Sequence, residues 1–237
     1  MGKVDFSNRS SAKEWMDEPI ADKEIFFQNL REIEFINRFT GGPATGFKAI
    51  KQLIGQRTGT LNLVEIGFGS GDMLQYLVTH QHLLPVQLNI TAIDILPETL
   101  EYIQLNYPSL LEVIDFQLMD YREWLTMGKQ TDLIYTGLFC HHLSDAELVE
   151  FLTFCTKAKL GFVVNDLARA PLPYYFIKYA SQLFARSPFT RHDAPLSVLR
   201  AFTEGEWKKY LQEAGVKQVE VHWKWAYRYL ITGRNEQ

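Results

Sequence analysis

The sequence predicts a doubly wound α/β protein, and three observations lead there. Short apolar runs at Leu61–Ile66, Leu88–Ile93, Glu112–Leu118, Asp132–Thr136 and Gly161–Val164 alternate with helical patterns at Asp72–His82, Pro97–Asn106 and Asp145–Lys157. Several of these runs are apolar on both faces, as strands are when helices cover each side of a parallel sheet. The rhythm changes at the end, where a helix over Glu204–Ala214 precedes two runs, Lys217–Trp223 and Tyr227–Thr232, joined by a short connection that predicts an antiparallel hairpin. The sum is a seven-stranded sheet whose last strand runs antiparallel.

Ahead of the sheet, Ile25, Phe26, Leu30, Ile33 and Phe39 recur at helical intervals between Pro19 and Thr40, and Gly41-Gly42-Pro43 supplies a stop and a bend. A second short helix carries Phe47, Ile50, Leu53 and Ile54, so residues 1–60 read as a helical cap on a main domain of residues 61–237. One stretch breaks the alternation. From Leu167 to Phe202 the chain is too long for a simple connection and too aromatic for a disordered one, which predicts a helical insertion, 167–202, after the fifth strand and beside one end of the sheet. In that position it would serve as a lid.

Composition narrows the functional classes. A chain of 237 residues with 46% hydrophobic and 22% charged residues suits one sizeable domain, and no uncharged apolar run reaches membrane-spanning length. MGKVDFSNRSSAKEW has no apolar signal-peptide core, and Phe6 stands where a myristoylation signal takes Ser or Thr. Cys140 and Cys155 lack metal-ligand spacing, so a reduced, cytoplasmic protein without a metal site or stable membrane insertion is expected, as a monomer or homodimer. The net charge of -4 argues against a nucleic-acid partner.

The stretch VEIGFGSGDM places Gly67, Gly69 and Gly71 between the first strand and the following helix. In a doubly wound sheet that turn lines the ligand crevice; glycines admit a ligand to the backbone, and helix-start N–H groups favour negative charge. The G-x-G-x-G spacing departs from the dinucleotide fingerprint, and Asp72 would repel a pyrophosphate. Asp94, at the end of the second strand, is placed to accept from ribose hydroxyls, and Asp120, after the third, from an adenine amine. Each of these aspartates is also a good helix cap.

The ordered series Glu65-Ile66-Gly67-Phe68-Gly69-Ser70-Gly71, Asp94, Met119-Asp120-Tyr121 and Asp132-Leu133-Ile134-Tyr135 resembles the motifs of class I S-adenosylmethionine-dependent methyltransferases over residues 61–165. The resemblance implies a Rossmann-like sheet and S-adenosyl-L-methionine as cofactor, released as S-adenosyl-L-homocysteine. It implies that Gly67, Phe68, Gly69 and Gly71 hold the methionine part, that Glu65 orients the loop, that Asp94 binds the ribose, that Asp120 and Tyr121 flank the adenine, and that Ile95 is a further cofactor contact. A looser resemblance, carried by MDEP, NDLAR and RHDAPLSVLRAF, is to bacterial methyltransferase-domain proteins acting on small molecules. It implies O-methylation of an aromatic or acyl-type metabolite, or carbon methylation of a quinone-like precursor.

A protonated acceptor needs a base, and histidine titrates near neutrality. His141 and His142 follow the fourth strand, where one of the two can equally pin the loop. His192 has Asp193 beside it to orient an imidazole, against which stands an N-cap role for Asp193 ahead of Pro195–Arg200. For the substrate, Arg169, Tyr175, Arg191 and Arg200 are candidates, drawn from an insertion rich in positive charge and aromatic rings. The bland reading packs the aromatic face on the domain and leaves the basic residues solvated. Methylation of a protein and nucleotide binding without catalysis stand as the other classes; an N/D-P-P-Y/F motif for nucleic-acid amines is absent.

Overall fold

A computed structural model describes residues 4–235, so the reading of the leader at Met1–Lys3 and the last two positions of the main domain lie outside the described residues. The elements are α1 (Lys23–Phe39), α2 (Gly42–Ile54), β1 (Gly59–Ile66), α3 (Asp72–His80), β2 (Val86–Asp94), α4 (Pro97–Asn106), β3 (Ile114–Leu118), α5 (Tyr121–Thr126), β4 (Leu133–Gly137), α6 (Asp145–Cys155), β5 (Gly161–Leu167), α7 (Pro171–Phe184), α8 (Pro188–Arg200), α9 (Glu204–Glu213), β6 (Gln218–Lys224) and β7 (Arg228–Arg234). The strands form one sheet in the order β3-β2-β1-β4-β5-β7-β6. β1 to β5 pair in parallel, and β7 is antiparallel to both β5 and β6.

Strand alternation builds two cores. Leu63, Leu133, Tyr135 and Val163 point to the side covered by α2 and α3, where Phe47, Ile50, Leu74 and Leu77 are buried. Val64, Ile66, Ile134, Phe162 and Val164 point to the other side, against Phe151, Leu152, Trp207 and Leu211 of α6 and α9. Helix ends follow local chemistry: Ser144 with Glu147 and Thr203 with Glu206 close reciprocal capping boxes at the starts of α6 and α9. β3 begins later than the apolar run suggests, because Pro108–Glu112 forms a 3-10 turn. Among the described residues no helix is long and apolar enough to cross a membrane.

The insertion is an α-hairpin of α7 and α8 and differs from expectation in two ways. First, α8 starts at Pro188, so Asp193 lies inside the helix and does not cap a segment at Pro195. Pro195 has no N–H for the Arg191 carbonyl, which takes the Gln182 side-chain amide instead at 3.4 Å. Second, the polarity is inverted: Phe176, Tyr179, Leu183 and Phe184 are 63% to 79% exposed, whereas Arg169 and Arg200 are buried.

The buried arginines fasten the N-terminal residues. Arg169 donates to the Phe6 and Ser7 carbonyls at 3.0 and 3.3 Å, to the Ala201 carbonyl at 2.7 Å and to Glu206 at 2.6 Å. Arg9 stacks its guanidinium 3.7 Å over the Phe202 ring and donates to the His141 and Leu143 carbonyls. Ser10 N–H bonds the Leu199 carbonyl at 3.0 Å. Residues 6–17 thus lie across the insertion as a strap held largely by polar contacts.

Removing a buried hydrogen-bonded charge costs about 3 kcal/mol, and here the loss falls on the strap. Arg169→Ala is therefore expected to raise protease cleavage within residues 6–20 at least tenfold while the sheet stays folded; unchanged cleavage kinetics would show that the strap is held by other contacts.

Candidate functional site

The carboxyl ends of the parallel strands carry two adjoining constellations. The first is the glycine turn. Gly67 N–H donates to the Ile93 carbonyl at 2.8 Å, and Gly71 N–H to the Phe68 carbonyl at 2.8 Å, which ties the turn to β2 and closes it on itself. Asp94 accepts from Gly69 N–H at 3.0 Å and from Leu96 N–H at 3.1 Å, locking the first loop to the second.

The glycines have different reasons. At Gly71 (φ +75°) a Cβ would meet Ile103 Cδ1 at 2.2 Å, so this position is small because α4 packs against it. At Gly67 the neighbour is the Phe139 ring, 2.9 Å away. Only at Gly69 (φ +48°) does a Cβ point into open space, with no atom within 4 Å. Ligand approach to the backbone is therefore concentrated there.

Around the turn the carboxylates outnumber their partners. Glu65 is 3% exposed and its Oε2 has no hydrogen-bond partner; burial, then the charges of Asp72 and Asp94, push its pKa well above the carboxylate range. Burial lifts Asp72 to about 6, against the pull of its hydrogen bonds from the Asn37 amide and Met73 N–H. Asp94 is raised by burial too, opposed by N–H groups of Leu96, Gly69 and Ile95. Arg228 is buried, and two of its guanidinium nitrogens have no partner. A cationic ligand group would lower the cost of this concentration of charge.

Other cofactor candidates have varied surroundings. Asp120 caps α5 through Arg122 N–H at 2.8 Å and pairs with the Arg122 guanidinium at 2.7 Å, which holds its carboxyl below the ordinary value. Tyr121 is buried edge-on against Phe139 and Phe151, and Phe68 against Phe116. Ile95, 63% exposed, presents an apolar surface directly after Asp94.

The second constellation follows β4. Leu138 takes φ +55°, and the 3-10 turn Cys140–His142 then brings two histidines back over the strand ends. His141 Nδ1 lies 2.7 Å from Asp166 Oδ1, while its N–H donates to Asp166 Oδ2 at 3.0 Å. His142 Nδ1 lies 2.7 Å from Asp17 Oδ1. A carboxylate only accepts, so each Nδ1 carries its hydrogen and each Nε2 is left free. Both Nε2 atoms face Glu14, at 3.9 and 4.0 Å. Glu14 is 1% exposed, and burial pushes it up to about 7 against the pull of His142 and Arg200. At Asp17 burial also raises the pKa, but hydrogen bonds and charge from His142 and Arg200 prevail and hold it well below the usual range. The two constellations follow neighbouring strands, since β1 lies between β2 and β4 in the sheet.

Arg200 links them to the insertion. It donates to the carbonyls of His141 (3.2 Å) and His142 (2.8 Å) and to Asp17 at 2.6 Å, so its donors are spent inside the protein. His192 and Asp193 do pair, at 2.6 Å, although neighbours in sequence seldom face one another. Asp193 also accepts from Trp15 and Met16 N–H, and His192 stacks on Trp15 at 4.1 Å, so this pair carries the turn that presents Glu14 and Asp17. Arg191 is exposed and donates to the Ala185 carbonyl at 2.9 Å; Tyr175 packs edge-on against Phe6. The structure thus gathers His141 and His142 near the glycine turn and leaves Tyr175, Arg191 and His192 on the insertion. Sequence reading missed Glu14, Asp17 and Asp166, though MDEP and NDLAR contain two of them.

The strand order, with a glycine turn after β1 and an acid at the end of β2, is that of a doubly wound α/β protein. Residues 63–158 match the family model for the methyltransferase domain. The fold is the one shared by class I S-adenosylmethionine-dependent methyltransferases. Among solved structures, the plantazolicin methyltransferase BpumL, in complex with a monoazolic desmethylPZN analog and SAH, aligns over 94% of this chain and 93% of its own at 17% identity, TM-score 0.65. An O-methyltransferase family 2 protein from Planctomyces limnophilus, in complex with apigenin, aligns over 88% and 62% at 14% identity, TM-score 0.57. A candidate O-methyltransferase from Nostoc punctiforme aligns over 89% and 60% at 15% identity, TM-score 0.57. The chain therefore spans less than two thirds of the length of these last two. No curated protein gives a significant sequence match.

The two glycine environments predict opposite phenotypes. Gly71→Ala is expected to destabilise the fold by about 2–4 kcal/mol, the range for overpacking added to a strained positive φ, read as a lower denaturation midpoint. Gly69→Ala should cost only about 1 kcal/mol and impair ligand binding instead; equal midpoints for the two variants would contradict the packing described.

Proposed function

We propose that the chain transfers a methyl group from S-adenosylmethionine to a hydroxyl of a small-molecule acceptor, an aromatic or acyl-type metabolite. The observation that carries this reading is the Glu14–His141–His142 cluster at the carboxyl end of β4, the strand that neighbours β1 and its glycine turn, which sets a proton-accepting group on the same edge of the sheet. Neighbours of this fold in complex with apigenin and with a desmethylPZN analog support a small-molecule acceptor.

The residues present suit the cofactor. Open space at Gly69 admits it to the backbone, and Asp94 accepts from the ribose hydroxyls. The carboxylates of Asp72 and Asp94 favour an ammonium and a sulfonium where they would oppose a pyrophosphate. Ile95 offers an apolar face to the base, with Asp120 and Tyr121 on the neighbouring loop. When bound, the cofactor supplies an electrophilic methyl on a good leaving group, so alignment does much of the catalytic work. The chain's part is to hold the acceptor oxygen in line and take its proton: His142 Nε2 accepts it, and Asp17, fixed by Arg200, holds the opposite Nδ1–H and the resulting charge. Arg169 and Arg200 serve this reading by positioning the strap. Tyr175, Arg191 and His192, on the insertion, are left to line the acceptor's entrance.

Binding tests the cofactor assignment. Asp94→Ala is expected to weaken S-adenosylmethionine or S-adenosylhomocysteine at least tenfold in calorimetric titration, and His192→Ala less than threefold; equal effects, or a preference of the wild-type protein for NAD, would defeat it.

The raised carboxyls add a pH signature. Asp72, lifted to about 6, must ionise to meet a cation, so binding should release protons near pH 6 and tighten as pH rises from about 5 to 7.5. Titrations in buffers of different ionisation enthalpy measure this, and Asp72→Asn should remove a large part of it. A pH-independent affinity would contradict the assignment.

A further inference from the structure

The acid at the centre of the histidine cluster is not explained by proton transfer alone. Glu14 Oε1 is buried and has no hydrogen-bond partner, although it is aimed at His141 Nε2, 3.9 Å away. His142 Nε2 stands 4.0 Å from Oε2, and the ligand-type atoms of Glu14, His141 and His142 all lie within 4.8 Å of one another. Those separations are too long for hydrogen bonds and slightly longer than the edges of a coordination tetrahedron with bonds of about 2.0–2.2 Å.

The outer contacts have the form that metal sites need. A ligating imidazole normally donates its other ring N–H to a carboxylate, which fixes the ring and raises its basicity. Here both histidines do so, His141 to Asp166 and His142 to Asp17, each at 2.7 Å. Asp17 is in turn held by Arg200 at 2.6 Å. The charges agree as well: three carboxylates, Glu14, Asp17 and Asp166, face one guanidinium, Arg200, and a divalent cation balances the two charges left over.

We propose that Glu14, His141 and His142 form a binding site for one divalent transition-metal ion, with zinc as the best match to two imidazoles and a carboxylate. His142 is the most accessible of the three, with its side chain 20% exposed, so a fourth ligand would enter from its side. An acceptor hydroxyl there would lose its proton to solvent more readily and keep a lone pair for the methyl carbon, whose bond to the sulfonium sulfur breaks to leave S-adenosylhomocysteine. The catalytic role of the ion rests on the methyl-transfer reading above; its binding does not. With zinc present, the ion takes the place of His142 as the group that makes the hydroxyl acidic.

Cobalt(II) is the probe. The full chain, freed of metal by a chelator and dialysed, is titrated with cobalt(II) without cofactor. Visible d–d bands of tetrahedral cobalt are expected at one ion per chain, and zinc should displace them. Glu14→Gln and His142→Ala should each weaken cobalt binding tenfold or more, Asp17→Asn by about tenfold as an outer partner, and His222→Ala, exposed on β6, not at all. Circular dichroism of each variant separates lost ligands from lost folding, and His142→Gln replaces any variant that does not fold. Absence of the bands in wild-type protein, or bands that survive in folded Glu14→Gln and His142→Ala, overturns the site. S-adenosylhomocysteine binding measured on the same metal-free protein keeps the two readings apart. Cofactor binding without cobalt binding removes the metal site alone, and cobalt binding without cofactor binding removes the methyl-transfer reading alone.

Discussion

Desolvation of carboxylates is the constraint on which the functional end of this protein depends. Glu14, Glu65, Asp72, Asp94 and Asp166 are all drawn out of water at the carboxyl edge of the sheet, and only Asp166 ends below its ordinary pKa, because His141 pairs with it directly. Burying a charge without full compensation opposes folding. The two apolar cores on either face of the sheet must therefore supply the stability that this edge gives up. The functional end is a place where the fold holds charges ready for cationic partners.

That division of labour explains why the edge is built from turns and the body from regular elements. β1, β2 and β4 are largely buried toward their carboxyl ends, which lie at one level, so short turns after each bring Gly69, Asp94 and His142 to the same edge of the sheet. The glycine turn is fixed twice over, by backbone bonds to β2 and by Ile103 and Phe139 filling the space beside two of its glycines. Such preorganisation leaves little rearrangement to be driven by ligand binding. The histidine turn has a comparable frame in Asp166, Arg9 and Arg200.

Much of the body was legible in the sequence, because the pattern that forms a strand or helix is local. Helix α4 was read to the residue at Pro97–Asn106, and the terminal hairpin to within two residues. Gly69 and Asp94 were legible too, since a turn after a first strand and an acid after a second are ordered signals. The polarity of the insertion was not. Its arginines looked like solvated surface or substrate ligands, and only the three-dimensional path of residues 6–17 shows that carbonyls of the strap satisfy donors of Arg169 and Arg200, whose charges Glu206 and Asp17 balance. Glu14 and Asp17 carried no local signal at all: the pairing of Asp17 with His142 spans 125 residues. Of the two readings of Asp193, its pairing with His192 holds and the helix cap does not, because α8 runs through Pro195, and a proline inside a helix is uncommon enough to suggest a helix start.

The strap also sets the order in which the protein is finished as it is made. Asp17 leaves the ribosome early, yet it is anchored by His142 and Arg200, the latter separated from it by 183 residues. Glu14 has the same dependence. A nascent chain can therefore complete the glycine turn once α4 and the loop carrying Phe139 have emerged, while the histidine cluster has to wait for α8. The glycine turn is in place before synthesis ends, and the histidine cluster closes last.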